Sequence, residues 1–507
     1  MRALLISTYD LGHQPFGLAS PAAWLKREGA DVRCADLAKD RLVDEWVREA
    51  DLVAFHLPMH TATRLAGPVI GRVRKLNPGA RLCAYGLYAP LNETWLRSLG
   101  VTDVLGAEFE ADLAAIARAT LADAPWPRHP AAEGPDTGGG DRWTGSAGVA
   151  LPLGTPATDG RPAGGGSGDR VGAGAERRRA PIKRLDFLVP DRGSLPPLAR
   201  YATLRVGEGR PRIAGYTEAS RGCRHLCRHC PVVPVYEGQF RIVQPSVVLA
   251  DIASQVAAGA EHITFGDPDF FNGPTHGMHI VEAFHRAHPS TSYDVTIKVE
   301  HLLKHRHLLP RLAATGCLFV TSAVESLDDR VLGLLAKGHT RRDFLDLVAL
   351  CRASSVTLVP TFVAFHPWLT LEGYCDLLDT IEALGLVEHV APIQLAIRLL
   401  IPAGSRLLEL DDVRSLVDRF DARTLTYPWV YADRRVDELH ARVSAIVGGR
   451  FTSNRRATFD AISMLAHEAA GLPRPARRDG PANGPVPYLD EPWYCCAEPS
   501  PEQLTLV

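Results

Sequence analysis

Short apolar runs, each followed by apolar positions at helical spacing, repeat through the first quarter of the chain. Ala3–Ser7, Val32–Leu37, Leu52–Leu57, Leu82–Gly86 and Asp103–Ala107 are predicted strands, and Leu18–Arg27 carries the first helical pattern. Strands alternating with helices across short connections predict an α/β, doubly wound parallel sheet over residues 1–123. Such sheets bind ligands at the carboxyl ends of their strands. Tyr9-Asp10, Pro58-Met59-His60 and Gly86-Leu87-Tyr88 are therefore rim candidates.

The pattern stops at residue 124. Over 124–180 the chain turns to Gly, Pro, Ala and Thr, with Gly138-Gly139-Gly140 and Gly164-Gly165-Gly166. Too little apolar surface is available there to offset ordering entropy, so a disordered linker is expected, with Arg177-Arg178-Arg179 simply solvated. A second alternation fills 181–400. Its predicted strands are Ile213–Ala219, His262–Phe265, Tyr293–Lys298, Leu318–Val324, Thr357–Phe365 and Pro392–Ile397. Val247–Ala258, Leu302–Ala314 and Arg341–Ala353 are predicted helices between them. Six such units predict a partial (β/α)6 barrel, with functional residues at the carboxyl ends of its strands. Residues 401–475 read as a helical extension, with amphipathic spacing over Asp411–Phe420 and Val436–Val447, and 476–507 as a tail.

The totals narrow the class. A chain of 507 residues holds two or three domains, and a formal net charge of −2 offers no broad field for nucleic acid. No apolar run reaches membrane-spanning length, and Met1-Arg2 leads straight into a strand, so a cytoplasmic protein is expected. Cys317, Cys351 and Cys375 stand without companions and read as buried small residues.

Three other cysteines are clustered. Cys223, Cys227 and Cys230 form Cys-x₃-Cys-x₂-Cys in a loop just after a predicted strand. Three thiolates can hold three irons of a [4Fe–4S] cube and leave the fourth without a protein ligand. With His225 and His229 nearby, the same trio also fits a Cys3His zinc knot. His13, His276, His279, His285 and His288 read as ordinary loop, surface or core histidines.

The stretch Arg221 to Pro231 resembles the radical S-adenosylmethionine (SAM) superfamily. The resemblance implies a [4Fe–4S] cluster on Cys223, Cys227 and Cys230. SAM would chelate the open iron and break reductively to a 5′-deoxyadenosyl radical. It also implies SAM contacts elsewhere. His229 stands where an aromatic residue usually meets adenine. Gly266, Asp267 and Asp269 follow the second barrel strand, where the superfamily holds the SAM ammonium, and a carboxylate suits that cation. Ser322 and Glu325 lie in Ser322-Ala323-Val324-Glu325-Ser326, which resembles a Gly-x-Glu-Ser element reaching the ribose or amino-acid part of SAM. Asp-Pro capping and a surface salt bridge are the structural alternatives for these acids. Lys298, Glu300 and Arg398 are further strand-end candidates.

The first domain resembles the cobalamin-binding domain found upstream of many radical SAM barrels. Its Asp-x-His-x-x-Gly motif is one residue out of step here, Asp10 to Gly17, leaving His13 either a loop histidine or a cobalt ligand. Near the end, Pro492-Trp493-Tyr494-Cys495-Cys496-Ala497-Glu498-Pro499 matches the CUAEP/CCAEP-tail radical SAM proteins, some of which carry selenocysteine where Cys496 stands. That position implies a nucleophile, a radical relay or a soft-metal grip, so Cys495 and Cys496 are candidate catalytic residues. The expectation is a radical SAM enzyme acting on a small-molecule or peptide substrate, reduced by a flavodoxin or ferredoxin, with cobalamin as a possible further cofactor. A cluster or zinc sensor without catalysis, and an enzyme transferring the aminocarboxypropyl arm of SAM, remain open alternatives.

Overall fold

A computed structural model describes residues 1–106, 108–122, 185–448, 454–475, 485–490 and 498. The described residues before 123 and after 184 belong to one compact unit. The expected linker, 124–180, lies outside the described residues.

The first sheet has order β2-β1-β3-β4-β5, all parallel, from β1 (Arg2–Ser7), β2 (Asp31–Asp36), β3 (Leu52–His56), β4 (Arg81–Tyr85) and β5 (Asp103–Val104). Its central strands are apolar on both faces because helices cover both. Leu18, Ala22 and Leu25 of α1 (Phe16–Arg27) pack on one face, while Ala62, Leu65, Val69 and Val73 of a helix spanning His60–Leu76 pack on the other. Strand order reverses between β1 and β3, which opens the crevice at Tyr9–His13 and Pro58–His60.

The second sheet curls into a partial barrel. β6 (Thr203–Arg205) lies antiparallel to β7 (Arg212–Thr217). β8 (Ser220–Gly222) and β9 (Phe240–Ile242) pair with each other. β7 then runs parallel with β10 (His262–Phe265), β11 (Ser292–Thr296), β12 (Cys317–Glu325) and β13 (Thr357–Phe362). The edge beyond β6 is covered by β14 (Tyr488–Leu489), from the last part of the chain. The α/β class and the barrel are as expected, with two local corrections. The sixth strand is not Pro392–Ile397: Pro392–Leu395 is a 3-10 turn, and the sheet extends only through a parallel bridge between Phe365 and Arg398. Pro392 has no N–H to give a ladder. The helix predicted over Leu302–Ala314 is broken into Val299–Lys304, Arg306–Leu308 and Leu309–Ala314, the last with Pro310 in its first turn.

One buried charge cluster joins the sheet to the barrel. Arg221, just before the cysteine loop, donates Nη1 and Nη2 to the Glu110 carboxylate at 3.0 and 2.7 Å and Nε to Glu218 at 2.7 Å. Glu110, at the start of a helix over Glu110–Ala122, also accepts from Ser20 of α1 at 2.7 Å. Phe16, Phe109 and Phe187 rings surround the guanidinium at 4.9–5.7 Å. Such planar cation–aromatic contacts suit Arg and not Lys. Removing one partner of a buried pair strands the other charge. Arg221→Met should therefore lower unfolding free energy by about 3–5 kcal/mol, read as a shift in denaturant midpoint, while Arg221→Met with Glu110→Leu recovers part of the loss.

Candidate active site

The cysteine loop leaves β8 through Gly222, whose φ of +75° and close approach to its neighbours both demand glycine. A Cβ there would sit 2.4 Å from the Tyr236 ring and 2.6 Å from the Gln239 carbonyl. The loop is tied down on several sides. Cys223 N–H donates to Gln239 O at 3.1 Å, and Asn272 accepts from Arg224 N–H and donates to Gly222 O. Arg228 N–H bonds Leu335 O, and Cys230 N–H bonds Cys227 O. Cys223, Cys227 and Cys230 are unbridged thiols, and Cys230 lines a cavity of about 930 Å³. Burial pushes the Cys223 thiol up to about 11 and the Cys230 thiol higher still. A metal or cluster taking these sulfurs must therefore displace protons.

Positive charge stands beside the sulfurs. Lys298 Nζ lies 3.8 Å from Cys227 Sγ, and the buried Lys337 acts electrostatically on both Cys227 and Cys230. Lys337 also pairs with Glu325 Oε1 at 3.3 Å, and His229 Nε2 lies 3.1 Å from the same oxygen. Glu325 ends β12 with φ +71°, where the pairing with β13 shifts register between Ala323 and Glu325. Burial would raise its pKa, but Lys337 and His229 outweigh that and hold the carboxyl at about 2.

The turn after β10 divides its candidates. Gly266 lines the cavity, and a Cβ there would overlap the Tyr216 hydroxyl, so glycine lets Tyr216 cross. Asp267 also lines it, with its carboxylate accepting from Ser220 Oγ at 2.5 Å and Ala219 N–H at 2.9 Å. Burial still pushes that carboxyl up to about 7. Asp269 lies off the cavity wall. It caps Phe270–Asn272 through Phe271 N–H and meets His301 Nδ1 at 2.7 Å and His225 Nε2 at 3.5 Å. One donor atom each from Cys223, His225 and Asp269 falls within 4.8 Å of the others, a mixed donor set that could hold a cation. The buried Ser322 does not line the cavity either, because Phe319, Thr321, Ala323 and Glu325 present the inner face of β12 and Ser322 alternates outward.

The cavity extends from the rim of the first sheet (Leu11, His13, Met59, Tyr88), past His229 and Cys230, into the barrel and out to Tyr488 and Asp490. His13 rests on the Tyr216 ring at 4.8 Å, and burial lowers its pKa to about 4. Asp490 accepts from Thr203 N–H and Oγ1 at 2.7 and 2.6 Å. Glu498 pairs with Arg64 and lies 3.1 Å from His60 Nε2. Cys495 and Cys496 lie outside the described residues. Lys337 and His301 belong to no sequence motif and reach the site only through folding, while Asn272 closes the turn that starts at Gly266 without a sequence signal for its contact with the cysteine loop.

Residues 217–384 match the radical SAM superfamily. A tRNA-2-methylthio-N(6)-dimethylallyladenosine synthase of Chlorobaculum tepidum is 27% identical over 186 residues, which are 34% of this chain and 40% of that one. The enzyme of that name from Thermobifida fusca is 25% identical over 337 residues, 56% and 65% of the two chains. The chain thus spans less than two thirds of either relative. Among solved structures, the cobalamin-dependent SAM radical enzyme OxsB with aqua-cobalamin bound superposes with TM-score 0.61 and 12% identity, covering 92% of this chain and 71% of its own. The radical SAM methyltransferase TsrM of Kitasatospora setae, with tryptophan substrate and a SAM analogue, gives TM-score 0.54 and 15% identity over 81% and 76%. No helix among the described residues is long and apolar enough to cross a membrane.

The Glu325 cluster has a pH signature. Its carboxyl has a lower pKa folded (about 2) than at the ordinary 4.5, so the unfolded chain binds the proton more readily. The resulting stability, about 3 kcal/mol, is complete above pH 4.5 and is lost as pH falls toward 2. Denaturation from pH 6 to 2.5 should show this acid limb in the native sequence and a shallower one in Glu325→Gln.

Proposed function

We propose that this chain, whose residues 217–384 form a radical SAM domain, reductively cleaves SAM and uses the adenosyl radical on a small-molecule or peptide substrate. The observation that carries this reading is a loop of three unbridged thiols, pinned on several sides, that opens through Cys230 onto the cavity also lined by His229, Gly266, Asp267 and Glu325.

Cys223, Cys227 and Cys230 would hold the cluster, a donor set that leaves one iron open. When bound there, such a cluster would supply the electron for reductive cleavage of SAM to a 5′-deoxyadenosyl radical. The protein's own groups prepare for it. Lys298, 3.8 Å from Cys227 Sγ, would set an ammonium beside a cluster held there. Glu325, kept ionised by Lys337, offers an acceptor to the ribose or amino-acid part of SAM, and His229 offers a ring to the adenine. Gly266 and Asp267 receive the SAM ammonium. Asp269 serves by holding His225 and His301 behind the loop.

Cobalamin, when bound, supplies methyl-group transfer. The apolar rim residues Leu11, Pro58, Met59, Leu87 and Tyr88 suit a large flat ligand. His13 packs on the Tyr216 ring, and we assign it to the cavity wall. Without cobalamin, oxidation, rearrangement or sulfur-assisted transfer follows from the radical. Cys495 and Cys496 assist the later step, a reading supported by the anchored residues on either side: Asp490 at the cavity and Glu498 on His60 and Arg64. The relatives named for tRNA match only part of this chain, and its net charge of −2 argues for a small or peptide substrate. A flavodoxin or ferredoxin is the expected reductant, in the cytoplasm.

Anaerobic reconstitution with iron and sulfide, then dithionite and SAM, tests this by mass spectrometry. We expect 5′-deoxyadenosine, abolished in Cys223→Ala, Cys227→Ala and Cys230→Ala. Once turnover is found, the tail peptide should carry Cys495 or Cys496 paired or modified. Methylthioadenosine instead would indicate aminocarboxypropyl transfer, and no nucleoside from cluster-loaded protein would favour a sensor.

A further inference from the structure

Three buried carboxylates line the cavity: Asp267, Asp294 and Glu325. Two are satisfied within the protein. Asp267 accepts from Ser220 and Ala219 on separate oxygens, and Glu325 faces the Lys337 ammonium. Asp294 differs. Both of its hydrogen bonds are accepted at Oδ1, from Thr264 Oγ1 at 2.7 Å and from His262 Nε2 at 2.8 Å. Its Oδ2 has no hydrogen-bond partner among the described residues, and no Lys or Arg pairs with it there.

We propose that Asp294 is the anchor for a substrate ammonium group, completed only when ligand enters the barrel. Asp294 is only 4% exposed yet lines the cavity, so a ligand that fills the barrel excludes water from this carboxylate and does so at least cost when it brings a cation to it. Its backing is firm: His262 Nδ1 lies 2.9 Å from Ser292 Oγ, so the Ser292–His262–Asp294 chain fixes the carboxylate from behind. Ser292 does not line the cavity, so this chain supports Asp294 and is no hydrolytic triad facing a ligand.

Position separates this anchor from the SAM contacts. Asp294 sits in the middle of β11, two residues before Thr296 at its carboxyl end, whereas Glu325 and His229 meet at the strand ends. Phe319 pairs with Asp294 across the sheet, and Phe265 and Tyr216 also line this cavity. Apolar and aromatic walls around one carboxylate suit a cationic amine on an apolar or aromatic body.

This inference rests on the radical SAM reading for treating the cavity as a substrate site. Calorimetric titration of the full-length, cluster-loaded protein with phenethylamine and its uncharged isostere 2-phenylethanol tests it. Phenethylamine should bind at least ten times more tightly, and Asp294→Asn, checked for folding by its thermal melt, should shrink that ratio below two. Equal binding of the two probes, or a preference that survives in Asp294→Asn, overturns it and leaves the Ser292–His262–Asp294 chain as a brace of the barrel core. Should the variant not fold, the comparison on the native sequence decides alone. The same preparation assayed for 5′-deoxyadenosine separates the two readings. Nucleoside without amine preference rejects the anchor only, and amine preference without nucleoside rejects the radical reading only.

Discussion

The site depends on a buried arginine. Arg221 places its donors on Glu110 and Glu218 and lies among three phenylalanine rings, two residues before Cys223. Glu110 belongs to the first sheet's helical layer and Glu218 to the barrel, so one guanidinium fixes the cysteine loop against both. Desolvating these charges is tolerable only because the hydrogen bonding is nearly complete. A lysine would supply the charge without the fork geometry or the planar face. The reactive loop is thereby held to the two surfaces that bound the cavity.

Around that anchor, charge is arranged in compensated groups. Lys298 and Lys337 stand by the sulfurs, and Glu300 and Glu325 stand by the lysines. A cluster on three thiolates would be anionic, and ammonium groups beside it would offset its charge in a place that water reaches poorly. The left-handed backbone at Glu325 and the register shift before it are local departures from strand geometry that keep this carboxylate on the inner face. Strain of this kind at a strand end belongs with function more than with folding.

Much of this was legible in the sequence. The cysteine spacing, the two strand–helix alternations and the Arg341–Ala353 helix follow from local pattern. What pattern does not carry is pairing at long range. Arg221 and Glu110 are 111 positions apart, and no periodicity links them. Lys337 lies outside every motif and reaches Glu325 only because the turn after Leu335 doubles back. Ser322 shows the opposite hazard: it was selected by likeness to a motif, whereas the two-residue alternation of β12 puts Thr321 and Ala323 on the cavity wall. The missing sixth strand has a simpler cause, a proline where a ladder donor is needed.

The central claim is that three thiols hold a cluster whose remaining iron is open to SAM. Electron paramagnetic resonance of the reconstituted, dithionite-reduced protein tests it most directly. The account predicts a reduced [4Fe–4S] signal whose g-values shift when SAM is added, and loss of that signal in Cys227→Ala. A signal indifferent to SAM, or metal analysis giving one zinc and no iron, would contradict it.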